Sequence, residues 1–296
     1  GRQRDGLQSR RSSRARPMEY SFGFVGVGTM NAAIVRGIAT LPAPPKSLVL
    51  SPRGAARAAE LSAEFGPLVT VAKDNQAVVD ASDVVFVGVL PRLGEEVLRA
   101  LRFSERHTVV SLLSTMPLAE VRACCAPVPP ASVVRAIPLP PVAKQRGACV
   151  MTPRHAPVAA LFSKLGTVVE VDSEEEMRKM IGITCLMGQL YAQQLAAQSW
   201  LQEQGVDAGA AARWVGAVYH TVSYDSATPG PDTFASLVEE QTPGGLNEQV
   251  LREMREAGAS LALRDSLDDV LARIEGRPAA ARERTAYSSS PADPSP

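Results

Sequence analysis

Two glycines early in the sequence constrain its fold more than any other feature. Residues 22–37 read FGFVGVGTMNAAIVRG: an apolar run leads into Gly26 and Gly28, and a helical pattern follows over residues 30–38. Glycines at a strand-to-helix turn permit a tight bend and remove the side chain that would block a pyrophosphate. Asn31 stands where a third glycine is usual. The segment predicts a dinucleotide-binding turn, with a purely structural turn as the alternative.

Strand-like runs alternate with helical or loop segments from Phe22 to Asp172. The runs are nearly continuous in β-branched residues, as in DVVFVGV and TVVEV, and helical connections such as GAARAAELSAEFG separate several of them. This pattern predicts a Rossmann-like α/β domain whose sheet is covered on both faces. The predicted strands are residues 22–27, 46–51, 68–72, 83–89, 107–113, 132–137, 147–151 and 167–171.

The pattern after Asp172 is helical. Ser173 and Glu176 form a capping-box sequence, and no proline interrupts residues 174–204, which predicts one long helix. Asp207 is the predicted cap of a second helix, residues 232–241 form a third, and two more follow the turn at 242–245. We predict four segments: a disordered leader (1–17), a dinucleotide-binding domain (18–172), a helical dimerisation and substrate domain (173–276) and a disordered tail (277–296).

Charge and hydropathy argue against two classes of protein. The chain has 31 basic and 31 acidic residues, but residues 1–17 hold six arginines against one acid, Asp5, so the remainder is net negative. A negative folded body argues against nucleic-acid binding. The longest apolar runs are strand-sized and fall short of the roughly 20 residues that span a bilayer, so we expect no membrane span.

Cysteines and histidines show no metal-ligand spacing. The four cysteines include the adjacent pair Cys124 and Cys125, and the three histidines are scattered. We therefore expect no metal and reduced thiols, which are typical of an intracellular protein. The expected location is cytoplasmic, with organelle targeting by the Arg- and Ser-rich residues 1–17 as the alternative.

The end of the second predicted strand indicates which nucleotide fits. NAD-selective sites usually carry an acid there, whereas this chain has Ser51, Pro52 and Arg53. A hydroxyl and a guanidinium suit a 2′-phosphate, so we predict NADPH rather than NADH as the cofactor. The alternative is that Arg53 is an ordinary solvated residue.

The order of the motifs resembles one family, the pyrroline-5-carboxylate reductases. GFVGVGTM (23–30), DVVFVGVLPR (83–92), VVRAIPLPP (133–141), LFSKLGTVVEVDSEEEM (161–177) and TPGGLN (242–247) are similar to the family's segments in the same order. The resemblance implies NADPH-dependent reduction of the cyclic imine 1-pyrroline-5-carboxylate to L-proline. It implies cofactor contacts at Gly26, Gly28, Thr29, Met30, Ser51, Arg53, Val89, Pro91 and Pro138.

The resemblance also implies that the turn at 242–247 binds the small-molecule substrate. Two glycines before a helix expose backbone N–H groups that can hold a carboxylate. Gly244, Gly245 and Leu246 are the predicted substrate contacts, and Thr242 and Asn247 are the predicted catalytic residues. The alternative is a plain connection between helices.

This chain departs from the family pattern at three places. Leu139 replaces an asparagine, residues 184–188 replace a glycine-rich segment, and Asn247 replaces a threonine. Two alternatives therefore stay open. One is a reductase of another imine or a β-hydroxyacid, for which Lys179 is the candidate lysine, and the other is a non-catalytic NADP-binding regulator.

Apolar residues on several faces of the long predicted helix exceed what one small domain can cover. Tyr191, Trp200, Trp214 and Tyr219 lie at helical spacings among Leu and Ala residues. In the resembled family this region joins two subunits. We predict a homodimer or a higher homo-oligomer.

Overall fold

The computed structural model describes residues 20–281, which divide into two compact units. The first unit ends at Met177 and the second begins at Arg178, within one helix. The leader predicted for residues 1–17 lies outside the described residues, as does most of the predicted tail.

One eight-stranded sheet forms the centre of the first unit. Each predicted strand overlaps an observed one. The strands are β1 (Ser21–Val25), β2 (Ser47–Leu50), β3 (Val69–Val71), β4 (Val84–Val87), β5 (Thr108–Ser111), β6 (Val133–Pro138), β7 (Gly147–Thr152) and β8 (Gly166–Glu170). Their order is β3-β2-β1-β4-β5-β6-β7-β8. The order reverses between β1 and β4, where α/β folds place a ligand crevice beyond the carboxyl ends of the strands.

Helices cover both faces of this sheet. The helices are α1 (Thr29–Ala39), α2 (Ala55–Phe65), α3 (Asn75–Asp80), α4 (Gly94–Arg99), α5 (Leu118–Cys124) and α6 (Ala156–Ser163). Strand side chains alternate between two cores: Phe24 and Phe86 pack with α1, α2 and α6, whereas Val25 and Val87 pack with α3, α4 and α5. The sequence patterns did not predict α3, α5 and α6, because helices of 6, 7 and 8 residues hardly establish a period.

Strand β7 runs antiparallel to β6, whereas β1 to β6 are parallel and β8 is parallel to β7. The connection of residues 139–146 is too short for the crossover of about a dozen residues that a parallel pair requires. It holds a short 3-10 helix, Pro140–Lys144, and ends in Gln145 with φ 58°.

The second unit is helical. Its helices are α7 (Glu174–Thr184), which begins in the first unit, then α8 (Leu186–Glu203), α9 (Ala208–Asp225), α10 (Thr233–Glu239), α11 (Leu246–Glu256) and α12 (Ala259–Ile274). The α/β domain followed by a helical domain is the predicted fold class. Asp207 caps α9 as predicted, since its carboxylate accepts the Ala210 N–H. None of the described helices is both long and apolar enough to cross a membrane.

The prediction of one unbroken helix over residues 174–204 is wrong at Cys185. There the Thr184 hydroxyl donates to the Ile181 carbonyl at 2.7 Å, and the Cys185 N–H bonds to Gly182, three residues back. A threonine that bonds its own backbone and a tightened final turn end α7 without a proline.

Candidate functional site

The glycine turn lies where the strand order reverses, immediately beyond β1. Gly26 has φ +82°, and a Cβ there would lie 2.8 Å from Val89 Cγ1 and 3.0 Å from the Gly88 carbonyl. Both the backbone conformation and the close approach of the β4 end therefore require glycine at position 26.

Gly28 has no comparable internal requirement. It is the N-cap of α1 with φ −77°, which any residue can adopt, and a Cβ would only make an ordinary 3.5 Å contact with Gly88 O. No side chain caps this helix, and the next residue, Thr29, is exposed. Met30 is partly buried against the core. Gly28 is thus not required by the fold itself, and only the Gly88 carbonyl lies within 4 Å of the position its Cβ would take, as expected where a phosphate approaches the backbone.

Asn31 stabilises the turn from inside. Its buried amide donates to the Gly26 carbonyl at 2.6 Å and more weakly to Val25 O at 3.4 Å. A Cβ on Gly88 would lie 2.7 Å from Asn31 Nδ2. Asn31 therefore binds the turn through its side chain. The same side chain leaves no room for a Cβ at position 88, just after β4, so a glycine is required there.

The loop after β2 is also internally bonded. Ser51 is fully buried, its hydroxyl donates to Asn75 Oδ1 at 2.6 Å, and it accepts the Arg53 N–H at 3.2 Å. The expectation that this hydroxyl donates to a phosphate does not fit the arrangement, because its proton is already directed at the partly buried Asn75 side chain. Ser51 instead holds the backbone of Arg53, whose side chain is exposed.

The β2 loop is joined to the glycine turn. The Val27 N–H donates to Arg53 O at 3.4 Å, and Gly54, with φ +86°, lies so close that a Cβ would be 2.9 Å from Val27 O. Arg57, in the first turn of α2, donates from Nη1 to Val27 O at 3.3 Å. The sequence carries only a weak signal for Arg57, namely a second arginine four residues after Arg53.

The other predicted cofactor contacts follow β4 and end β6. Val89 is partly buried beside Gly26, and Pro91 is exposed at the start of a 3-10 helix, Pro91–Leu93. Pro138 is buried opposite Cys149, beyond the point where β6 stops pairing with β5, so its missing N–H costs no sheet bond there.

An ion pair not predicted from the sequence joins the buried Arg135 to the partly buried Glu174. Arg135 Nη1 donates to Glu174 Oε1, its Nη2 donates to the Ser114 carbonyl, and the Leu118 N–H donates to the same carboxylate oxygen at 2.9 Å. The pair joins β6, the segment after β5, and the start of α7.

The predicted substrate turn belongs to the second unit. Gly244 has φ +71°, and Gly245 is the N-cap of α11, without a side-chain cap. The Gly245 N–H donates to Thr242 O at 2.9 Å. Thr242, Leu246 and Asn247 are exposed. Two glycines therefore do stand directly before a helix, as predicted, and nothing in the turn covers its outer face.

The described residues offer no candidate metal centre, since no three His, Cys, Asp or Glu side chains cluster among residues 20–281. Burial raises the pKa of the Cys125 thiol to about 12 and raises the pKa of Cys149 as well. Thiols in such surroundings stay protonated at neutral pH and are poor nucleophiles.

Known proteins are similar in sequence to parts of this chain. The family described as "NADP oxidoreductase coenzyme F420-dependent" matches residues 21–115. The chain is 26% identical over 170 residues to the pyrroline-5-carboxylate reductase of Pseudomonas aeruginosa, covering 54% of this chain and 61% of that protein. It is 28% identical over 176 residues to the Synechocystis enzyme of the same name, covering 56% and 64%. The chain thus spans less than two thirds of these relatives' length.

Solved structures share the fold. Pyrroline-5-carboxylate reductases match from Streptococcus pyogenes (TM-score 0.71, 20% identity, 87% of this chain and 99% of that one) and Coxiella burnetii (0.74, 19%, 88% and 98%). The Plasmodium falciparum pyrroline carboxylate reductase with NADP bound also matches (0.69, 15%, 88% and 98%). At these identities the structures show the fold alone. The chain is therefore similar to pyrroline-5-carboxylate reductases in part of its sequence and in its fold.

Proposed function

We propose that this chain catalyses the NADPH-dependent reduction of 1-pyrroline-5-carboxylate to L-proline. The observation that carries the proposal is the glycine turn at the point where the strand order reverses, in which Gly28 leaves its backbone open to a phosphate (the proposed phosphate cradle). In addition, Arg53 stands where NAD sites usually hold an acid. The names of the sequence relatives supply the substrate, and the NADP-bound Plasmodium neighbour supports the choice of cofactor.

The chemistry asks for positioning more than for acid catalysis. Reduced nicotinamide supplies a hydride to the imine carbon, and a ring nitrogen that binds already protonated needs no strong acid. The proposed role of this turn is to present the backbone N–H groups of Gly244 and Leu246 to the substrate carboxylate, while the Gly245 N–H holds the turn closed on Thr242 O. The hydroxyl of Thr242 and the amide of Asn247 then orient the ring nitrogen.

A different imine or carbonyl substrate is the second candidate. The specific observation in its favour is Leu139, which is partly buried directly after β6 and takes the place of the family's asparagine. Leucine at this position cannot make the polar contact that an asparagine would make, and an apolar side chain discriminates only weakly between substrates of different shape. The site could therefore accept a different substrate.

The deciding experiment measures oxidation of NADPH and NADH by the purified full chain with 1-pyrroline-5-carboxylate. A set of cyclic imines without the carboxylate, and a set of β-hydroxyacids assayed in the oxidative direction, serve as comparisons. Fastest turnover of 1-pyrroline-5-carboxylate with NADPH supports the proposal. Faster turnover of another compound identifies another reductase, and tight NADPH binding without any turnover identifies a regulator.

We further propose that the chain works as a homodimer or a larger homo-oligomer. The second unit exposes large apolar side chains on α8 and α9, including Trp200 at 58% and Trp214 at 66%. Exposed aromatic residues of this size usually mark an interface.

A further inference from the structure

Arg57 is placed against the backbone of the glycine turn. Its guanidinium is partly buried and donates to the carbonyl of Val27, the residue between the two glycines. A hydrogen bond to that carbonyl fixes one edge of the planar guanidinium and leaves its other N–H groups available.

Arg53 is held at the same place by backbone contacts. Its carbonyl accepts the Val27 N–H, and its own N–H donates to the buried Ser51 hydroxyl. Val27 thus contacts both arginines. Its N–H binds the backbone carbonyl of Arg53, and its carbonyl binds the guanidinium of Arg57.

Neither arginine has a compensating acid. Within residues 20–281, no carboxylate lies within ion-pair distance of Arg53 or Arg57. Arg36 on the neighbouring helix α1 differs, because Glu60 and Glu64 of α2 both pair with it. The first turn of α2 also lacks an acid, and a cation there is opposed by the helix dipole. An anion next to the two guanidinium groups would supply the missing negative partner and would also offset the repulsion between Arg57 and the positive end of the α2 dipole.

We propose that Arg57 is a second specificity-determining residue for the 2′-phosphate of NADPH, acting together with Arg53. This inference rests on the proposed function, because it assigns a residue to the cofactor site. A phosphate dianion accepts charge-assisted hydrogen bonds from two guanidinium groups, whereas the 2′-hydroxyl of NADH offers them a single neutral oxygen. Arg57 therefore contributes to the choice between the two cofactors as well as to affinity.

The test measures binding to the full chain of adenosine 2′,5′-bisphosphate and adenosine 5′-monophosphate, which differ only in the 2′-phosphate, and of NADPH and NADH. Arg57→Ala is expected to weaken both 2′-phosphorylated ligands about tenfold or more and to leave the other two nearly unchanged. Arg57→Lys is expected to recover only part of the loss, because an ammonium group retains the charge without the planar fork.

Arg36→Ala is the matched control, since it removes the same charge from a paired arginine. We expect this variant to change the binding of all four ligands little. Equal weakening of both ligand pairs by Arg57→Ala assigns Arg57 to the pyrophosphate or to the turn itself and overturns the inference, as does unchanged binding. If the wild-type chain binds neither NADPH nor NADH, the proposed function has failed instead.

Discussion

Arg135 of β6 and Glu174, the first residue of α7, form an ion pair in which the arginine side chain is 5% exposed and the carboxylate 18%. The carboxylate also accepts the Leu118 N–H, and the arginine also donates to Ser114 O. One charge pair therefore connects four segments of the first unit. Such a pair favours the one arrangement of these segments in which both charges are satisfied, because leaving either charge without its partner costs free energy of folding.

Removal of the carboxylate tests this role. Glu174→Ala leaves Arg135 buried without its partner and Leu118 without an acceptor, so we expect a loss of about 3 kcal/mol or more in the free energy of unfolding. Glu174→Gln retains the acceptor and is expected to cost less. Urea unfolding of both variants measures the difference. The control is Glu95→Ala, which breaks an exposed pair with Arg99 and should cost under about 0.5 kcal/mol. A Glu174→Ala variant as stable as this control contradicts the interpretation.

The sequence predicted the sheet well because most of its inner strands are buried on both faces. Phe24 and Val25 point into opposite cores and are both apolar, so the strand is recognisable without its partners. The glycine turn was predictable for a similar reason, since Gly26 is required by its own backbone conformation.

What the sequence did not predict depends on contacts between distant residues. Glu174 has the appearance of a first-turn acid explained by the helix dipole, yet its partner Arg135 lies 39 positions away. Ser51 has the appearance of a phosphate ligand, but Asn75, on a helix too short to predict, accepts its proton. Neither partner is visible to local periodicity, which carries information about one element at a time.

One buried histidine, His107, and one partly buried histidine, His155, are expected to make the stability of the fold depend on pH. Burial lowers the pKa of His107 and of His155. In each, Nδ1 accepts a backbone N–H, from Ser104 in one case and from Val158 in the other. Because the unfolded chain binds protons below about pH 6.5 and the folded chain resists them, stability is expected to fall as the pH drops through 6.5 towards the lowered folded values.

The urea midpoint at pH 7.5 and at pH 5.5 measures this loss. Asparagine places an acceptor near the position of Nδ1 without a titratable ring and also serves as a helix N-cap, which is the position of His155. We therefore expect His107→Asn and His155→Asn each to lose less stability on acidification than the wild type. An undiminished loss in both variants assigns the dependence to other groups.

Gly26 and Gly28 should respond differently to a single added methyl group. In Gly26→Ala the Cβ meets Val89 and Gly88, and φ is +82°, so we expect a loss of about 1–3 kcal/mol in the free energy of unfolding. In Gly28→Ala the Cβ meets only one atom at 3.5 Å, so stability should change little. That same Cβ fills the proposed phosphate cradle, so NADPH binding should fall sharply. Calorimetric titration and urea unfolding of both variants check the contrast. A Gly28→Ala protein that binds NADPH normally removes the cradle from the cofactor site.

The exposed aromatic residues of the second unit make assembly testable. Light scattering of the full chain at micromolar concentration should give at least the mass of a dimer. Trp214→Glu places a charge at a side chain that is 66% exposed, so folding of the isolated chain should tolerate it, whereas a buried interface should not. We expect this variant to sediment as a smaller species than the wild type. A wild-type chain that is monomeric and well folded at that concentration contradicts the prediction.

The turn before α11 gives the sharpest test of the substrate assignment. A Cβ on Gly245 would lie 2.9 Å from the Thr242 carbonyl, so Gly245→Ala must displace the turn, and we expect a sharp rise in KM for the imine. Asn247→Ala leaves the backbone in place and removes an exposed amide, with an expected loss of about 1–2 kcal/mol in kcat/KM. Gln249→Ala is the control, because Gln249 is exposed two residues further along α11, on nearly the opposite side of the helix, and it should leave kcat/KM unchanged. NADPH affinity should stay near the wild-type value in all three, because all of the proposed cofactor contacts belong to the first unit. If the Gly245 and Asn247 variants fold and reduce the imine at the wild-type rate, the turn only connects two helices and the substrate must bind elsewhere.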